Sequence, residues 1–117
     1  MQSRDFKDLI VWRKAMNVAR EVYVLVHKLP PEERFGLADQ MRRCAVSIPS
    51  NIAEGQQRKG KHEFEQFIGY AQGSRAELQT QLLLAKDFNY LTEDDIESVF
   101  YELDEIGKML YSLSKSI

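Results

Sequence analysis

The chain of 117 residues has a single cysteine, three prolines and six glycines. One thiol, Cys44, cannot close an internal disulfide or build a cysteine-based zinc finger. So few prolines and glycines cannot supply the turns of a β-sandwich or barrel. No apolar run approaches the ~20 residues that a membrane span needs. Residues Met1-Gln2-Ser3-Arg4-Asp5 carry no apolar core of a signal peptide, so a cytoplasmic protein without a membrane partner is expected. Charge of one sign is also missing: 16 Lys and Arg stand against 18 Asp and Glu, a net charge of −2. That excludes a uniformly basic nucleic-acid binder. What is present is ordinary globular composition, 44% hydrophobic and 29% charged, in one domain over residues 1–117.

Four segments carry helical periodicity. In the first, from about Asp8 to Lys28, Leu9, Trp12, Met16, Ala19, Tyr23 and Val26 form a heptad-like stripe. Asp8 is the expected N-cap, and Pro30-Pro31 stops the helix. The second runs from Phe35 or Leu37 to Gln57, with Leu37, Met41, Cys44, Ala45, Ile48 and Ile52 on one face. Pro49 removes the hydrogen bond to the Ala45 carbonyl, so a kink is expected there. The third runs from Lys61 to Asn89. Its apolar face is Phe64, Phe67, Ile68, Ala71, Leu78, Leu82, Ala85 and Phe88, and Asn89 suits a left-handed C-cap. Gly69 and Gly73 lie inside it and make a flat strip that another backbone could approach. The fourth runs from Asp94 to Ser114, with Ile96, Val99, Phe100, Leu103, Ile106, Leu110 and Leu113 inward. Thr92 and Asp95 are spaced for a capping box. Short connections then favour an all-α, antiparallel, up-down-up-down four-helix bundle. The alternative is a helical hairpin pair that dimerises.

Catalytic constellations are not found. A di-iron bundle needs inward Glu-x-x-His pairs, but Val24 precedes His27 by three and Lys59 precedes His62 by three. Cys44 lies on the apolar stripe between Met41 and Ile48 and reads as a small core residue. There is no Gly-x-Ser-x-Gly turn, and Gly60-Lys61 is followed by His62, so there is no phosphate loop. No enzyme activity, cofactor, metal or small-molecule substrate is expected.

Charge, however, is polarised. Residues 1–62 hold 12 Lys and Arg against 7 Asp and Glu, a net of +5, and residues 63–117 hold 4 against 11, a net of −7. Arg42, Arg43, Arg58, Lys59 and Lys61 are the candidate phosphate-contacting residues. The bland reading is a solvated face, or a basic edge that meets an acidic edge of a neighbouring subunit, with Glu97, Glu102, Asp104 and Glu105 on the fourth helix. Around the mid-helix proline, Ser47, Ser50, Asn51 and Glu54 form a polar cluster. It either repairs the backbone locally or serves recognition and assembly.

The run Ser47-Ile48-Pro49-Ser50-Asn51-Ile52-Ala53-Glu54-Gly55, preceded by Arg42-Arg43, resembles the signature of the four-helix-bundle family of 23S ribosomal RNA intervening-sequence proteins. Phe6-Lys7-Asp8-Leu9 with Val11-Trp12 resembles that family's opening. Glu63-Phe64, Gly73-Ser74 and Glu77 through Leu82 resemble its third helix, so the likeness spans Phe6 to Leu113. It implies an all-α bundle in a ring-like homo-oligomer, a pentamer, with no known enzyme activity. Some members are encoded within ribosomal RNA insertions. A similar fold occurs in the nucleic-acid-binding accessory protein of diversity-generating retroelements, a fold-level analogy. The chain departs from the pattern at Cys44, where the family more often has Ala, and at Gln57 and Gly60, where Gly and then Ser or Thr are usual. Its acidity also departs from the basic retroelement relatives. Two expectations follow: an RNA- or ribonucleoprotein-binding scaffold using the five basic residues, or a protein–protein assembly module using the Ser50, Asn51 and Glu54 face.

Overall fold

The computed structural model describes residues 5–116. A short 3₁₀ turn, Phe6–Asp8, leads into α1 (Ile10–Leu25), which runs on as a further 3₁₀ turn, Val26–Lys28. Another turn, Pro31–Glu33, is followed by α2 (Leu37–Gln56), α3 (Lys61–Asp87) and α4 (Glu93–Lys115). No strand occurs among the described residues.

Each boundary has a local cause. Asp5 caps the opening turn through the Lys7 amide, so Asp8 lies inside that turn. Leu9 stands at the N-cap of α1 without a side-chain hydrogen bond, which corrects the expected Asp8 cap. Pro31 sits at the first position of its turn, where a missing N–H costs nothing. Glu33 Oε1 accepts from the Leu37 amide at 3.0 Å, taking up a free donor at the start of α2. α2 continues without a break through Pro49. α3 closes with Asn89 at φ 65°, and the Tyr90 amide reaches back to the Ala85 carbonyl at 2.9 Å, a Schellman closure. α4 opens on a complete capping box: Thr92 accepts from the Asp95 amide, and Asp95 accepts from the Thr92 amide.

The helices alternate in direction. Cross-contacts pair Gly55 with Phe67, Ser47 with Ser74 and Cys44 with Gln81 between α2 and α3. Gln72 with Gly107 and Gln79 with Asp104 run the same way between α3 and α4. Lys14 with Glu102 and Lys28 with Asp95 do so between α1 and α4. Each helix packs on its two neighbours, most extensively α2 on α3. The core between them holds Met41, Ile48, Ile52, Leu78, Leu82, Leu103, Ile106 and Leu110 without solvent contact.

α1 departs from expectation. Its buried residues are Val11, Ala15, Val18, Val22 and Leu25. Of the stripe read in the sequence, only Val26 is buried; Leu9, Trp12, Met16 and Ala19 are half-buried and Tyr23 is exposed. The helix carries two adjacent apolar stripes. The compact, mainly β-branched one enters the core, and the bulky aromatic one turns toward the outer edge of α2. Phe67 and Phe88 on α3 also lie further out than their spacing suggests, half-buried and exposed respectively.

Candidate functional site

The five basic residues fall into two groups. Arg42 and Arg43 lie on the first half of α2; Arg58, Lys59 and Lys61 surround the turn between α2 and α3. Sixteen residues separate Arg42 from Arg58, about 24 Å at helical rise. Arg42 donates to the Arg34 carbonyl at 3.2 Å and lies 4.0 Å from Asp39. Arg43 Nε donates to Asp39 Oδ2 at 2.8 Å, and that bond raises the guanidinium pKa. Arg58 donates to Glu54 Oε2 at 2.9 Å and its guanidinium stacks 4.7 Å above the Phe67 ring. Three of the five cations therefore engage a carboxylate of α2. Lys59 and Lys61 project into solvent.

The polar cluster on α2 divides as well. Asn51 Nδ2 donates to the Ser47 carbonyl and hydroxyl, both at 2.9 Å, and Ser47 Oγ lies 2.7 Å from Ser74 Oγ on α3. Ser47 thus ties α2 to α3, and Asn51 holds Ser47 from within α2. Neither Asn51 bond reaches the Ala45 carbonyl that Pro49 deprives of its helical donor. Ser50 projects from the other side of α2, and Glu54 is the partner of Arg58.

An open, mainly apolar groove lies between α1 and α2. Trp12, Met16, Ala19 and Tyr23 from α1 and Val46, Pro49, Ser50 and Ala53 from α2 line a groove of about 670 Å³ that opens to solvent. Phe6 closes one end, its ring edge-on to Trp12 with centroids 5.2 Å apart. At the far end Tyr23 and Val46 are shared with a polar hollow bounded by Asp39, Arg42 and Arg43. Arg20 stands on the α1 rim and donates to Asn17 Oδ1 at 2.7 Å, with no ion pair among the described residues. The groove thus has an apolar floor and a rim of three arginines against one aspartate. Spacing had marked the α1 side of this groove as core; the signal for a surface was the second stripe, Val11, Ala15, Val18 and Val22, one position away.

Elsewhere the chemistry is quiet. Cys44 is buried, and burial pushes its thiol pKa up, away from the reactive thiolate. Gln81 Nε2 donates to Cys44 Sγ at 3.4 Å while its Oε1 has no partner. Among the described residues no three His, Cys, Asp or Glu side chains converge on a metal position. No described helix is long and apolar enough to cross a membrane.

A family model described as 23S rRNA-intervening sequence protein matches residues 7–112. The chain belongs to that family. The match takes in the α1 stripe, the whole of α2 and α3, and most of α4, and so covers every groove-lining residue except Phe6. A similar solved structure is a protein of unknown function from the S23 ribosomal protein family of Bacteroides thetaiotaomicron. It is 27% identical, with a TM-score of 0.84, over 91% of this chain and 99% of that one. None of the curated proteins compared matches the chain.

Proposed function

We propose that this intervening-sequence family chain is a non-enzymatic, cytoplasmic assembly module that binds further copies of itself through the α1/α2 groove. The observation that carries the reading is the groove itself. Four residues of one heptad stripe, Trp12, Met16, Ala19 and Tyr23, are left at a solvent opening although the same helix has a second stripe in the core. Contiguous apolar surface rimmed by polar groups marks an association site, and aromatic and arginine side chains are the usual anchors of such sites. The ring-like pentamer implied by the family resemblance is the form expected.

Val46 is 43% exposed on the groove wall, so Val46→Glu spares the core. Light scattering after gel filtration should show wild type as an oligomer and Val46→Glu as a monomer of unchanged helicity. A variant with wild-type mass would overturn the reading.

A second reading, RNA or ribonucleoprotein binding, draws on Lys59 and Lys61. They form an exposed pair of cations at the α2–α3 turn, and no described ion pair includes them. Fluorescence anisotropy with a structured ribosomal fragment tests it. Binding should weaken linearly in log–log terms as salt rises, by a slope approaching about −0.9 per neutralised phosphate for a B-form duplex and less for single strands, and Lys59→Glu with Lys61→Glu should abolish it. No binding at low salt removes this second reading. The wide spacing and internal pairing of Arg42, Arg43 and Arg58 favour the assembly reading over it.

A further inference from the structure

Arg75, near the middle of α3, is a half-buried cation that no ion pair among the described residues includes. Neutral groups hold it instead. Its Nε donates to Gln72 Oε1 at 2.7 Å, and its Nη1 donates to Gln79 Oε1 at 3.0 Å. Both glutamines are in turn fixed to α4. Gln72 Nε2 donates to the Gly107 carbonyl and Gln79 Nε2 to Asp104 Oδ1, each at 2.9 Å. Positions 72, 75 and 79 share one face of α3 at helical spacing, which brings the three side chains together. Opposite them stands Gly107, buried within α4. A Cβ there would lie 2.7 Å from Arg75 Cζ and Nε and 3.1 Å from Nη1. The guanidinium thus fills the space of the missing side chain. Glycine is a poor residue inside a helix, and here it makes room for that group.

Arg75 opens on a solvent-facing hollow of about 590 Å³ between α3 and α4, with Lys108, Tyr111 and Ser112 on its α4 wall. We propose that this hollow binds a carboxylate, with Arg75 as its anchor. A guanidinium has five N–H donors. Two are spent on the glutamines, and the other three have no acceptor among the described residues. A planar fork of this kind matches the two oxygens of a carboxylate. The glutamines hold the fork before a ligand arrives, so little side-chain freedom is lost on binding. The hydroxyls of Tyr111 and Ser112 can donate to the same oxygens. The lining also sets the ligand's charge. Arg75 and Lys108 face one acid, Asp104, and Glu105 stands 3.9 Å from Lys108. So small a cationic surplus suits a single negative charge and disfavours the near-double charge of phosphate. The carboxylate is either that of a free small molecule or that of a chain end. Hollow and α1/α2 groove share no residue, so this site stands or falls apart from the assembly reading.

The test titrates acetate into the isotope-labelled full chain, at constant ionic strength made up with chloride, and follows the Arg75 Nε–Hε and Gly107 amide signals by NMR. Both signals should shift and saturate. Arg75→Lys keeps the charge and loses the fork, so the Gly107 signal should need about tenfold more acetate or beyond to saturate. Gly107→Ala should weaken binding likewise, because its Cβ displaces the guanidinium, while circular dichroism shows unchanged helicity. N-acetyl-glycylglycine and its C-terminal amide separate the two sources. Tighter saturation by the free acid than by acetate assigns the site to a chain end, and equal saturation assigns it to a small carboxylate; either supports the site. A drift that is linear in acetate and equal in chloride overturns the proposal and leaves Arg75 a solvated cation. Saturation by phosphate at lower concentration than acetate also overturns it, as does acetate binding that Arg75→Lys leaves unchanged.

Discussion

Asp95 connects two helices through one carboxylate. It accepts from the Thr92 amide at 2.8 Å and from Lys28 Nζ at 2.6 Å, tying the α4 cap to the end of α1. The Lys28 hydrogen bond, then the Thr92 backbone bond, lowers its pKa from 3.8 to about 2. A depressed carboxylate contributes stability that is complete above the unfolded value and lost as pH falls through the folded one. The contribution is therefore present at neutral pH and disappears between about pH 4 and pH 2. Thermal unfolding of Asp95→Asn should show a lower midpoint at pH 7 and a shallower fall over that acid window than wild type. Thr92→Ala should cost about 1 kcal/mol in urea unfolding. Gln81 is the opposite case. It is 4% exposed, and its Oε1 is buried without a hydrogen bond. Gln81→Met keeps the shape and removes the orphan, so the urea midpoint should rise, by about 1 kcal/mol in free energy.

The glycines of α2 and α3 separate propensity from packing. A Cβ on Gly69 or Gly73 would meet nothing within 4 Å. These glycines therefore serve no close approach inside the chain, and their cost in a helix is uncompensated there. In the monomeric Val46→Glu background, Gly69→Ala should stabilise by roughly 1 kcal/mol. Gly55 has the same intrinsic cost, but a Cβ there would lie 2.9 Å from Phe67 Cβ. That atom is anchored to the α3 backbone and cannot swing away. Gly55→Ala should destabilise, by about 1–3 kcal/mol, as overpacking does. Denaturant unfolding of both variants checks the contrast, and stabilisation of both would contradict the close α2–α3 contact. α1 makes the same point with side chains: helicity requires only periodicity, whereas the choice of which stripe to bury is made by the partner helices.

At the scale of the molecule, the four helices close on one another in order and leave two unlike surfaces, an arginine-rimmed apolar groove between α1 and α2 and a polar hollow between α3 and α4. The first 62 residues are net positive and the remainder net negative, so opposite charge lies on different helices of one chain. Raising salt from about 0.1 to 1 M shortens the screening length from roughly 10 to 3 Å. Sedimentation should then show weakened but not abolished assembly, since the charged rim is screened and the apolar floor is not. Complete dissociation by salt would mean that the groove floor contributes little. Enhanced assembly would remove charge from the account.

The sequence alone determined the four helices, their order and nearly all their ends. Those features are local: apolar spacing, Pro30-Pro31, Asn89 and the Thr92–Asp95 pair act over a few residues. It also carried the family signature around Ser47–Gly55, now matched over residues 7–112. The fate of each face was decided only in three dimensions. Trp12, Met16, Ala19 and Tyr23 are as well spaced for a core as Val11, Ala15, Val18 and Val22. Arg42 and Arg58 look like parts of one basic run until about 24 Å of helix separates them. Ser47, Ser50, Asn51 and Glu54 look like one cluster until α2 points them toward α3, the groove and Arg58. Spacing along a helix fixes which residues share a face, but what that face meets depends on the packing of helices distant in sequence, and the groove exists only where α1 and α2 come together.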